Sequence, residues 1–144
     1  MSVPKFTESL SAAQSGAKFT PAVQTAASKI DASALSAAIE IVLAGGDDAS
    51  VEGEQAVALK SGFEFATELV KMLGSEPGSE EKLDLYKYFK RARNETPAEP
   101  SFYQMEAKFK YNAWKSISHV SQAKAQALYI KQVETLIVKY GTRD

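Results

Sequence analysis

The segment EEKLDLYKYFKRA (80–92) places acids in its first turn and Lys90 and Arg91 in its last, with Arg93 just beyond. This is the charge order that opposes both ends of a helix dipole. Ser79 precedes it, and the stretch from Gly74 to Ser79, with Pro77 and Gly78, closes whatever comes before. A helix here fixes how its neighbours are read. Upstream, Phe63, Ala66, Val70 and Leu73 form one apolar stripe and Phe65, Leu69 and Met72 a second, which predicts a helix starting at Phe63 and apolar over much of its circumference. Downstream, Pro97 and Pro100 interrupt the chain. A third helix is then expected from about Gln104 to Ile117, with Met105, Phe109, Ala113 and Ile117 along one side. A final helix from about Ser121 to Lys139 buries Ile130, Val133, Leu136 and Ile137 and stops at Gly141. No segment alternates with the period of two that a half-buried strand requires. The chain is therefore read as all-α, with a four-helix domain over residues 61–144.

Residues 1–60 form an N-terminal extension. Residues 1–19 mix Ser, Gly, Lys and Thr without period and predict a poorly ordered start. Thr20-Pro21 then opens a helix, since proline at the first helical position loses no needed donor and the threonine oxygen can cap a free amide. Val23, Ala27 and Ile30 follow at helical spacing. Asp31 caps a second segment carrying Leu35, Ala38, Ile39, Val42 and Leu43, and Gly45-Gly46 ends it, so the helical part is about 20–44. This amphipathic face could dock on the rest of the protein, fill out the fold, or engage a partner. GGDDASVEGE (45–54) reads as a turn or linker.

Composition removes several classes of function. A net charge of −1 gives no field to attract DNA or an anionic membrane, although the 13 Lys/Arg after Gly62 outnumber the 11 acids there. The longest apolar run, AIEIVLAGG (38–46), is too short to span a bilayer and contains Glu40. Without cysteine there is no disulfide, thiol nucleophile or thiolate metal site. His119 falls in a predicted turn with no metal-ligand spacing around it, so no metal is expected. Glu80-Glu81 and Asp47-Asp48 are sequence neighbours that do not face each other across a substrate. Gly45-Gly46 lacks a P-loop continuation. With no identifiable nucleophile and base, the chain is read as non-catalytic.

What remains is a constellation of rings and lysines. Tyr86, Phe89 and Lys90 stand at i, i+3 and i+4, Lys110 and Trp114 lie one turn apart with Lys108 and Tyr111 beside them, and Tyr129 sits on an otherwise aliphatic helix. Aromatic faces stack on a purine and lysines offer compact positive charge to phosphate. Equally, such rings can be partly core and the lysines can snorkel at its rim. Spacing alone leaves both readings open.

From Phe63 to Gly141 the chain resembles the acyl-CoA-binding protein family through FEFATELVKML (63–73), LYKYFKRA (85–92), KFKYNAW (108–114) and ALYIKQVETL (127–136) with KYG (139–141) after it. The resemblance implies an up-down-down-up four-helix bundle that reversibly binds medium- and long-chain fatty acyl-CoA esters, as a carrier and pool buffer. It carries Tyr86, Lys90 and Lys110 onto positions gathered around the CoA 3′-phosphate and Tyr129 onto a nucleotide-contacting tyrosine. Phe89 falls where a second tyrosine is usual, Lys71 matches a lysine near the ligand, and Leu83 matches an apolar residue of the acyl groove. Lys82 replaces a methionine there, and Tyr111 replaces the first tryptophan of a WxxW pair whose second member is Trp114. The loop 93–102 is shorter than the family's. No cofactor, no nucleic acid and no membrane span are implied. A cytoplasmic monomer in transient contact with acyl-CoA-using enzymes is expected, with organellar import through the extension left open. The reading from another class is a helical protein–protein interaction module built on the N-terminal amphipathic helix.

Overall fold

The computed structural model describes residues 3–143. Seven helices follow one another: α1 Pro4–Gln14, α2 Pro21–Ser28, α3 Ala32–Ala44, α4 Gly53–Leu69, α5 Ser79–Ala92, α6 Met105–Ser116 and α7 Gln122–Tyr140. A 3-10 turn, Val70–Met72, ends α4, and an isolated antiparallel bridge joins Leu73 to Thr142. There is no strand among the described residues, and the all-α reading holds. No described helix is long and apolar enough to cross a membrane.

The helix ends follow from local chemistry. Thr20 Oγ1 accepts from Val23 N–H at 3.5 Å, Asp31 Oδ1 from Ala34 N–H at 3.1 Å, and Ser121 Oγ from Lys124 N–H at 3.0 Å. Each satisfies a donor that the first turn leaves free. Gly141, at φ 69°, ends α7 in the left-handed region that a side chain would resist.

Two segments differ from expectation. Residues 4–14 form a helix where a poorly ordered start was expected: Phe6, Leu10 and Ala13 are buried along one face, and Phe6 meets the Phe65 ring edge-on at 5.6 Å. Pro4 opens this helix, and three anchors suffice because α7 and α2 lie beneath it. The helix expected from Phe63 begins at Gly53, ten residues earlier, and buries Ala58, Leu59 and Gly62. A Cβ on Gly62 would lie 2.5 Å from Leu35 Cδ1, so the missing side chain is what lets α3 seat its leucine against α4.

Helix α7 is the spine. It packs on α4 and α5 of the bundle and on α1 and α3 that precede them, while α3 also packs on α4 and α2 rests on α4 and α1. Leu35, Ala38, Ile39 and Val42 of α3 are all buried in the same apolar core as Leu59, Phe65, Ile130 and Leu136. The amphipathic face of the extension is thus spent on docking to the rest of the chain, and is not free for a partner.

Two buried charges on α7 hold that docking in place. Lys124, a residue only 8% exposed, donates through its ammonium to the carbonyls of Val42 at 3.0 Å, Leu43 at 3.2 Å and Gly45 at 2.9 Å, closing the C-terminus of α3. Glu134, also buried, accepts through Oε1 from Phe6 N–H at 2.7 Å in the first turn of α1. Both signs suit the helix dipole they meet. At the other end of α7, Glu81 of α5 accepts from the Tyr140 hydroxyl at 2.6 Å, from Gly78 N–H at 2.8 Å and from Lys139 Nζ at 3.0 Å. The Tyr140 hydroxyl first, then the Gly78 amide and Lys139, draw its pKa from 4.5 down to about 2.

Removing the ammonium of Lys124 orphans three carbonyls, so Lys124→Met should cost about 2 kcal/mol of unfolding free energy in a urea titration. Because the folded pKa of Glu81 is depressed, its contribution is present above about pH 4.5 and lost as pH falls toward about 2. Thermal melts across that window should therefore show a shallower acid loss for Glu81→Gln than for the parent chain.

Candidate functional site

Helices α5 and α6 diverge over α7 and leave an open groove of about 610 Å³. Leu83, Tyr86 and Phe89 come from α5, spaced so that one face carries all three. Phe109 and Lys110 come from α6, and Tyr129 of α7 lies at the floor. Leu85, Ser79, Lys82 and Glu106 complete the lining. The surface is mainly apolar, and two ammonium groups meet at one ring: Lys90 Nζ stands 5.9 Å and Lys110 Nζ 5.6 Å from the centroid of Tyr86. Two ammonium groups within reach of one aromatic face are held partly by cation–π attraction. They are also held by carboxylates, Lys90 by Glu95 at 3.1 Å and Lys110 by Glu106 at 3.7 Å. The Lys90 hydrogen bond is the main reason that Glu95 has a lowered pKa.

Under the groove the rings pack into a base. Phe63 meets Tyr129 edge-on at 5.1 Å, and Phe89 lies 6.0 Å from Phe63 and 6.3 Å from Tyr129. Tyr129 is only 4% exposed. Burial, with a smaller contribution from Glu68, raises its pKa, so its phenol stays neutral. On the outer side of Phe89 the Arg93 guanidinium lies 5.2 Å from the ring.

Of the residues singled out in the sequence, Leu83, Tyr86, Phe89, Lys110 and Tyr129 line this groove, and Lys90 stands at its edge against Tyr86. Lys71 does not join them. It lies in the 3-10 turn after α4, paired with Glu68 at 3.3 Å, beside a separate small cleft that contains Pro77 and Arg143. Lys82 does line the groove, with its ammonium bound to Glu76. Tyr111 packs against Trp114 at 5.9 Å, as a packing variant would. Phe109 was read only as part of a helix stripe, yet it is 58% exposed and forms a wall. Helix α6 buries no residue at all, so its apolar side faces the groove and solvent. The adjacency of Phe109 to Lys110 was the available signal. His119 is an exposed loop residue 3.1 Å from Asp47, and no cluster of metal-ligating side chains occurs among the described residues.

The sequence model of one family, described as acyl-CoA-binding protein, matches residues 60–133, just over half of the chain. The chain belongs to the acyl-CoA-binding protein family. Among curated relatives it is 38% identical over 81 residues to the acyl-CoA-binding protein of Dictyostelium discoideum, covering 55% of this chain and 96% of that protein. It is 35% identical over 81 residues to acyl-CoA-binding protein homolog 1 of Caenorhabditis elegans, covering 55% and 94%. With the acyl-CoA-binding protein of Saccharomyces cerevisiae it shares 32% over 82 residues, covering 56% and 94%. The matched region begins inside α4, so α1, α2 and α3 all precede it.

Proposed function

We propose that this chain binds medium- and long-chain fatty acyl-CoA esters reversibly and serves as their carrier and pool buffer, leaving the thioester intact. The observation that supports it most directly is Tyr86 with Lys90 and Lys110 on its ring at the edge of an apolar groove. A phosphate would take the two ammonium groups, for which lysine is well suited as a compact donor. Phe89 offers a stacking face on its firm base of Phe63 and Tyr129. Leu83, Leu85 and Phe109 would remove the acyl chain from water at about 0.8 kcal/mol per methylene. Lys82 beside them would favour chains short enough to leave its ammonium solvated. No ligand bond is made or broken in this scheme, and a single protomer supplies every group it uses.

Isothermal titration should show hexadecanoyl-CoA binding far more tightly than free CoA, since only the ester fills the groove; equal affinities would overturn the division between head and chain. Charge reversal at Lys90 or Lys110 should weaken all esters by a common factor of about tenfold. Leu83→Ala should cost more as the chain lengthens. Glu95 competes with phosphate for Lys90, so Glu95→Gln should tighten binding by about twofold to fivefold, the range of a surface ion pair.

A further inference from the structure

The candidate groove is of a size suited to a drug-like ligand, for which pockets run to about 300–1,000 Å³. An acyl-CoA, with adenosine, three phosphates, a pantetheine arm and a fatty chain, is considerably larger. More surface is needed, and the structure offers it on the far side of one ring. Phe89 lines the groove with one part of its surface and a second, polar cleft of about 840 Å³ with another. One wall of that cleft is helix α2 of the N-terminal extension, ending at Lys29. Lys60 and Thr67 of α4 stand in the opposing wall, and Arg93 lies beside Phe89.

The charges of this cleft are loosely committed. Lys29 reaches Glu64 only at 3.7 Å with both side chains largely in solvent. Lys60 has no carboxylate at ion-pair distance among the described residues. Glu68 is turned to Lys71 at 3.3 Å, and Arg93 to Glu95 at 3.5 Å. Exposed pairs of this kind are worth little and exchange readily for a doubly charged phosphate.

We infer that helix α2 is part of the ligand site: Lys29, with Lys60 across the cleft, contacts a phosphate of an acyl-CoA that passes over Phe89 from the groove. This rests on the acyl-CoA reading above and gives the extension a role in it. The docked position of α2, set by the burial of Val23 and Ala27, is what brings Lys29 to the cleft.

The test is calorimetric titration of the full chain with dodecanoyl-CoA and hexadecanoyl-CoA. The Lys29→Glu/Lys60→Glu double variant should bind both esters about tenfold more weakly, by the same factor, with unchanged helicity and melting temperature. Lys29→Arg/Lys60→Arg should restore binding, and Lys5→Glu on the exposed face of α1 should leave it unchanged. If the parent chain binds both esters and the double variant stays within twofold of it, the inference fails while the acyl-CoA reading stands. If the parent chain binds neither ester, that reading itself fails. A loss that grows with chain length would put Lys29 and Lys60 beside the acyl end and overturn the phosphate contact.

Discussion

The Lys124 ammonium, buried on α7 and shared among three carbonyls at the end of α3, sets the geometry on which the rest depends. A charge taken out of water is tolerated only where its hydrogen bonds are replaced. Those three carbonyls are presented together at only one place, where α3 stops. Glu134, farther along the same helix, imposes the matching condition on the first turn of α1. Burial of Phe6, Leu10 and Ala13 on α1 and of Leu35, Ala38, Ile39 and Val42 on α3 carries no direction of its own, and apart from the seat of Leu35 against Gly62 nothing in it alone forbids a small shift along α7. The two charges do not allow it. They convert non-directional burial into a single placement of the extension.

That placement governs the ligand side as well. Helix α2 hangs between α1 and α4, so fixing α1 and α3 fixes α2 above Phe63 and Phe89. From the opposite direction the same two rings rest on Tyr129 of α7. The base of the site is thus braced by both the extension and the bundle. Helix α6 is a contrast: it packs mainly on α5, and none of its residues is more than partly buried. One wall of the groove is rigid and the other is held by a single neighbour, which is where low-energy opening is to be expected.

The fold was legible wherever chemistry was local. Helix α5 announced itself through its terminal charges, α2 and α3 through Thr20 and Asp31 at their N-termini, and α7 through the spacing of Ile130, Val133, Leu136 and Ile137 and its stop at Gly141. Helix α1 was not, because Phe6, Leu10 and Ala13 are its only buried apolar side chains and serine, alanine and lysine surround them. The early start of α4 was masked by Gly62, whose lack of a side chain matters only once Leu35 is known to lie against it. Neither anchoring charge could have been recognised, since the partners of Lys124 and Glu134 are about 80 and 128 residues away. At the site, Tyr86, Phe89 and Lys90 were readable because one helix carries them at one-turn spacing. Lys71, carried over by resemblance alone, lies within the 3-10 turn Val70–Met72 and outside the groove lining, a placement that its spacing in the sequence does not reveal.

The chain contains one tryptophan, and it sits on the loosely held wall. Trp114 stacks near Tyr111, with an indole N–H that is shielded from solvent and has no partner among the described residues. An indole so placed emits at shorter wavelength than one in water, and its spectrum shifts red as soon as that shielding is lifted. The molecule therefore carries its own optical gauge, positioned on the helix whose movement would widen the groove and requiring no added dye.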